Sequence, residues 1–307
     1  MTNTAPDRPR SLIALRGALG SFPPRQLTQQ AYEGNPRHLR RLVQLKPSDR
    51  AKIADLWEYT QDLLYTEIQS SLLIYLLPFC LEIWREDLLG TNQDAGGFVE
   101  QLYPVLANRE IFTRHLTRGQ TEAVAEFMRA SILEEMDNQR GLSYKGMGSR
   151  PYRWITAIMT YGALLPALSR LWNEWWWLGT VGRAVAAVQY LSCLMYAEQD
   201  NPVFAAWTRE EGAGPPCLWE FGGHLYTNRW LEENVIFLKQ VLNPVNVTRL
   251  LAKAAEKLTG QPEHAIAIEI QSDLSLCAET LASRCRRLPQ VLETTQQPGL
   301  LISWSDK

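Results

Sequence analysis

Between Trp154 and Tyr196 the chain runs almost without charge. Sixteen uncharged residues separate Arg153 from Arg170, a Trp175-Trp176-Trp177 triplet follows, and fourteen more uncharged residues separate Arg183 from Glu198. A stretch of that composition must leave water, either into the protein's own core or into a bilayer. A membrane-spanning helix needs about twenty apolar residues in succession, and both runs fall short. Pro166 interrupts the first, Gly179 and Gly182 separate it from the second, and the mean hydropathy of the chain is −0.22. The segment therefore reads as a buried helical hairpin, with a membrane-embedded or interfacial hairpin as the alternative. Three consecutive tryptophans spread around a helix by about 100° per residue, so at least one of them must reach a second surface, packing against the other lobe in preference to being offered to a partner.

Helical periodicity dominates elsewhere. From Ser48 onward, Ile53, Leu56, Trp57, Leu63, Leu64, Ile68 and Leu72 recur at three- and four-residue steps, predicting one amphipathic helix that Pro78 then bends or restarts. Gly90 and the run Thr91 to Gly97 close that unit. Thr117 and Gln120 form a capping box, in which each side chain serves the other's backbone N–H. The helix they start buries Val124, Phe127, Met128 and Ile132. Its wet side falls to Glu122, Glu126, Glu134, Glu135 and Asp137, and it stops near Gly141. Later helices are expected over residues 230–242 and 245–258, the second with Asn243 as N-cap, Pro244 in its first turn and Gly260 past its end. Ala265 to Ile270 alternates with period two, so a strand pairing with residues 300–304 competes there with a helix running to Arg287.

These elements predict an all-α, two-lobed multi-helix bundle with the Trp-rich hairpin buried inside it. A small two-stranded sheet near the C-terminus is the one departure allowed. Residues 1–46 form a basic arm that reads as dispensable for folding, 47–142 an N-terminal helical lobe, 143–150 a linker and 151–307 a C-terminal helical lobe. Charge follows this division. Lys and Arg outnumber Asp and Glu nine to three over residues 1–50, and are outnumbered nine to fifteen over 51–150 and thirteen to fifteen thereafter, for a net charge of −2. Five cysteines without a C-x-x-C pair read as reduced packing residues. With Arg16 cutting the only early apolar run, they point to the cytoplasm.

Residues 56–133 resemble an uncharacterised bacterial all-helical family, on a Tyr75-Leu76-Leu77-Pro78 step and on the series Leu116, Thr117, Gln120, Val124 and Phe127. About a quarter of the chain is covered. The resemblance implies an accessory bacterial protein of the kind found as immunity or interaction partners in toxin systems, and it carries over no catalytic residue.

Chemistry-bearing patterns are sparse. Cys217 and His224 share one loop without a second ligand pair, so no structural zinc site and no other metal or cofactor is expected. Adjacent Glu134 and Glu135, like Glu232 and Glu233, point about 100° apart on a helix and cannot converge on one atom, so they read as solvated. Glu122 and Glu126 share a face, as acidic residues near a helix N-terminus commonly do. Gly96-Gly97 and Gly222-Gly223 lack the Lys-Ser/Thr step of a phosphate loop. Arg37, His38, Arg40, Arg41 and Lys46, near Phe22 and Tyr32, read as a solvated helical face in preference to a nucleic-acid contact.

The aromatic content is the remaining clue, since tryptophan is enriched at binding hot spots. The sequence points to a non-catalytic protein-binding protein, immunity-type or toxin-neutralising, whose partner is another protein, such as a toxin, and not nucleic acid, with membrane contact kept as an alternative. Its candidate contacts are Trp219, Phe221, His224 and Tyr226 in a Gly- and Pro-rich loop, together with Glu122, Glu126, Glu134 and Glu135. The alternatives are an enzyme whose Glu134, Glu135, His224 and Glu220 meet between the lobes, and a membrane-associated accessory protein.

Overall fold

The computed structural model describes residues 9–20, 22–108, 110–142, 149–196, 201–204 and 230–294. Among them it shows thirteen α-helices and no strand, so the all-α class holds. The chain divides into two compact units, Met1–Ala130 and Ser131–Lys307. No single helix among the described residues is long and apolar enough to cross a membrane.

The first unit contains α1 (Arg10–Leu19), α2 (Arg37–Leu42), α3 (Ile53–Tyr65), α4 (Ser70–Leu88), α5 (Gly96–Asn108) and the start of α6 (Arg118–Asp137). Helix α1 packs on α4, α2 on α3, and α3 and α4 on α5. Leu12, Leu15, Leu39, Leu56, Leu72, Trp84, Phe98 and Phe127 are buried there. The N-terminal arm is therefore part of a core, contrary to the expectation that folding could dispense with it. Arg16 is itself buried, donating to Glu82 at 2.8 Å, reaching the carbonyl of Pro47 and lying 4.5 Å over the Phe79 ring. Of the basic cluster only His38 is drawn inward; Arg37, Arg40, Arg41 and Lys46 stay exposed, as a solvated helical face requires. His38 Nε2 meets Asp62 Oδ2 at 2.6 Å, and Arg41 pairs with Asp55 through both Nε and Nη2.

The single helix expected from Ser48 to Leu72 is two. Thr66 turns extended after α3, and Gln29 and Gln69 then exchange backbone and side-chain groups across the gap. Gln69 Oε1 accepts from the N–H groups of Thr28 and Gln29 at 2.8 and 3.0 Å, while Gln29 Oε1 accepts from Gln69 N–H at 2.9 Å. The Gln29 amide thereby satisfies an N–H left open at the start of α4, and the Gln69 amide two N–H groups of the irregular segment beside it. Pro78 does not restart α4, which runs through it. The capping box of α6 is present, with Thr117 N–H donating to Gln120 Oε1 at 2.9 Å and Gln120 N–H to Thr117 Oγ1 at 3.3 Å.

The second unit holds the remainder of α6, then α7 (Arg150–Leu164), α8 (Leu168–Trp176), α9 (Val181–Met195), α10 (Glu232–Val241), α11 (Pro244–Lys257), α12 (His264–Ser272) and α13 (Ala278–Thr294). Residues 265–270 are helical, and the strand reading of that segment is set aside; residues 300–304 lie outside the described residues. Asn243 caps α11 as expected, accepting from Asn246 N–H at 2.9 Å, with Pro244 in the first turn.

The apolar stretch is buried, but as three helices instead of a hairpin. Pro166 ends α7, Ala167 takes a left-handed conformation, and α8 and α9 bend away from each other by 108°. A residue of α10 resolves the break. Asn234, buried, donates Nδ2 to the carbonyls of Gly162 and Leu165 at 2.9 and 2.8 Å and accepts from Leu168 N–H at 3.1 Å. It closes the C-terminus of α7 and the N-terminus of α8 with one side chain. Helix α9 packs on α11 and α13, and its N-terminus comes close to the C-terminus of α6, where any Cβ on Gly182 would collide with the carbonyls of Met136 and Asp137. Asp137 fixes the junction by accepting from Thr180 Oγ1 at 2.6 Å and from Arg183 Nε and Nη2 at 2.8 and 2.9 Å.

The cysteines Cys80, Cys193, Cys277 and Cys285 are free thiols, as read from their spacing. Burial pushes Cys80 up to about 12 and Cys285 up to about 11, which leaves both unreactive near neutral pH.

Candidate functional site

Helix α8 places its apolar residues at Leu168, Leu171, Trp172 and Trp175, the i, i+3, i+4, i+7 series of a single buried face. Trp172 lies 5.2 Å from Trp175, 5.1 Å from Trp176 and 5.6 Å from Tyr190 of α9, mostly edge to face, and Trp154 of α7 lies 5.4 Å from Trp175. Such pairs contribute about 0.5–1.5 kcal/mol each beyond burial. Trp175 completes the core and Trp176 stands at its margin. Trp177, turned off that face, is 75% exposed. Leu178 ends the helix in a left-handed conformation that costs a non-glycine residue about 1 kcal/mol or more, and its buried side chain anchors the turn. The triplet is thus divided between core and surface, as its spacing requires.

Beside Trp177 lies a cleft of about 530 Å3 lined by Asn173, Trp176, Trp177, Val241, Asn246, Arg249, Leu250 and Lys253. Helix α11 supplies the opposite wall. It buries Val247, Leu250, Leu251, Ala254 and Ala255, which leaves Arg249, Lys253 and Lys257 at four-residue spacing outside the core. Lys253 Nζ sits 5.0 Å from the centre of the Trp177 ring and donates to the Trp177 carbonyl at 2.9 Å. Lys257 donates to the Gly179 carbonyl at 3.3 Å. Cations at these carbonyls complement the negative end of α8. Arg249 Nη2 donates to Asn246 Oδ1 at 3.2 Å. The lining contains two cations, two amides and apolar surface, and it contains no carboxylate.

The residues expected from the sequence fare differently. Trp219, Phe221, His224, Tyr226, Cys217 and Glu220 lie outside the described residues. Glu122 and Glu126 are exposed, but each is held by an arginine of its own helix, Arg118 at 2.9 Å and Arg129 at 2.5 Å, which cancels much of an acidic face. Glu134 is half-buried.

Glu135 is the correction. Read as solvated, it is 0% exposed, bound by Arg150 Nε and Nη2 at 2.7 and 3.1 Å and by Gln139 Nε2 at 2.7 Å. Burial raises its pKa above the usual carboxylate range, and the bonds to Arg150 and Gln139 pull it back only in part. It serves the fold and presents nothing to solvent.

No group of three or more metal-ligating side chains occurs among the described residues. In the first unit Ser70 Oγ and His115 Nδ1 are 2.8 Å apart, a bond that ties the first turn of α4 to the π-helical turn Ile111–His115.

Arg249, Lys253, Asn173 and Asn246 were not singled out by sequence reasoning. The alternation of buried and basic positions along α11 was there to be read. Its meeting with Trp177, seventy-odd residues away, was not. No protein-family model, no curated protein and no solved structure matches the chain.

Proposed function

We propose that this chain is a protein-binding protein and that the surface around Trp177 is where its partner docks. One observation carries the reading. A tryptophan continuous with a buried aromatic cluster is held 75% exposed, against a lysine, at the mouth of a cleft. Tryptophan is enriched at binding hot spots because it buries a large area with only two rotatable bonds, and a ring fixed by a carbonyl-anchored lysine loses little freedom on binding. The resemblance over residues 56–133 supports the narrower role, an immunity-type protein that occludes a bacterial toxin.

The test compares the full-length protein with Trp177→Ala as baits in lysate of its native cells. The exposed ring contributes little to folding, so the variant stays helical. A stoichiometric protein captured by the wild type and lost by the variant supports the reading. A protein captured equally by both moves the docking site elsewhere, and no captured protein from either overturns the reading.

A further inference from the structure

We infer that the cleft beside Trp177 receives an acidic and an apolar side chain carried close together on an extended segment of the partner; this rests on the protein-binding reading and names the chemistry of its partner.

The lining separates into two kinds of surface. Trp176, Trp177, Val241 and Leu250 supply apolar contact, while Arg249 and Lys253, one helical turn apart on α11, supply charge. Among the described residues neither cation is in an ion pair, and their hydrogen bonds go to neutral acceptors, Asn246 Oδ1 and the Trp177 carbonyl. Exposed cations elsewhere are of both kinds, Arg114, Arg118 and Lys239 being paired with Glu110, Glu122 and Glu293 while Arg37 and Arg40 are in no ion pair among the described residues; what sets Arg249 and Lys253 apart is the tryptophan-lined cleft beside them. Each cleft cation keeps N–H donors to spare, since a guanidinium has five and an ammonium three. A carboxylate bridging them would gain charge-assisted hydrogen bonds against a tryptophan wall that lowers the local dielectric.

The apolar half argues for more than a free anion, because an inorganic ion would leave Trp177 in water. A volume of about 530 Å3 is enough for two neighbouring side chains, and the exposed amide of Asn173 can meet a peptide group between them. A nucleic acid strand would also stack on Trp177, but it needs a continued row of cations for its phosphates. The next cation along α11, Lys257, lies outside the cleft lining and has Glu256 beside it, and the chain as a whole carries −2.

The experiment pans a phage-displayed library of random peptides against the intact protein. Enriched peptides, fluorescently labelled, are then titrated against wild type, Trp177→Ala, Arg249→Glu and Lys253→Glu, each checked for helicity. Should a charge reversal perturb folding, Arg249→Gln and Lys253→Gln replace it. The inference predicts sequences with Asp or Glu within a few positions of Leu, Phe or Trp. Affinity should fall about tenfold or more in each variant, and also when the peptide's acidic residue is made an amide. Enriched peptides without an acidic residue, binding unchanged by Arg249→Glu, tighter binding of oligothymidylate, or no enrichment would each overturn it. If the Trp177-dependent capture of a partner succeeds while the peptides fail, the binding reading stands and the acidic-apolar segment falls. If both fail, both fall.

Discussion

Gly162 of α7 lies flat against the indole of Trp230, so close that a methyl group added to the glycine would occupy the same space as the six-membered ring. The contact joins α7 to the start of α10, and the rigid ring has nowhere to go because Trp230 is itself buried. Gly162→Ala should therefore destabilise the second unit by about 3 kcal/mol or more, at the upper end for overpacking. Gly17, in α1 with open space where its Cβ would be, provides the contrast. Gly17→Ala should stabilise by roughly 0.5–1 kcal/mol. Urea unfolding followed by circular dichroism separates the two; equal effects would remove the steric argument.

Asn234 makes three buried hydrogen bonds to the ends of α7 and α8. Asn234→Leu keeps the volume, strands the Leu165 carbonyl and the Leu168 N–H, and leaves the Gly162 carbonyl with only the long 3.4 Å bond from Leu231 N–H, at an expected cost of about 2–4 kcal/mol. Faster amide exchange at Leu168 than at residues in the middle of α9 should accompany it. A variant as stable as wild type would show that the junction is held by packing alone.

Glu135 gives a pH signature whose sign is fixed by its raised pKa. A carboxyl with a folded pKa above its unfolded value, about 4.3, contributes stability in full below the unfolded value. That contribution is lost as the pH rises through the folded one. The stability of wild type relative to Glu135→Gln should thus fall from pH 4 toward neutrality and then level off. Denaturant titrations of both proteins across that range give the difference directly, and a difference that grows with pH would contradict the dominance of burial over Arg150.

The tryptophans of α8 should divide cleanly. Trp172→Ala removes a buried ring at the centre of the aromatic cluster and should cost about 3–5 kcal/mol. Trp177→Ala removes an exposed ring and one cation–π contact, at less than about 1 kcal/mol. Similar losses would place Trp177 within the core and undermine its use as a contact residue.

The features that the sequence disclosed were those written in adjacent residues. The Thr117–Gln120 box, the Asn243-Pro244 helix start and the division of Trp175, Trp176 and Trp177 between two surfaces all depend on spacings of a few residues, where backbone geometry alone decides. The features that escaped depend on partners far along the chain. Glu135 looked solvated because the arginine that reaches in from the surface to pair with it is fifteen positions on. The breaks after Thr66 and Leu165 were hidden because the amides that satisfy them, Gln29 and Asn234, come from other segments. The cleft was missed for the same reason, since α8 names only its aromatic half and α11 only its basic half.

The central claim is that Trp177 touches a partner protein, and a photoreactive benzoylphenylalanine placed at position 177 tests it most directly. The same residue at position 276 serves as the control, where Leu276 is 83% exposed and belongs to the same unit. Irradiation in the native cells should give one discrete protein adduct from position 177, none from position 276, and no adduct when Arg249→Glu is added. Adducts from both positions alike, or none from position 177, would contradict the account.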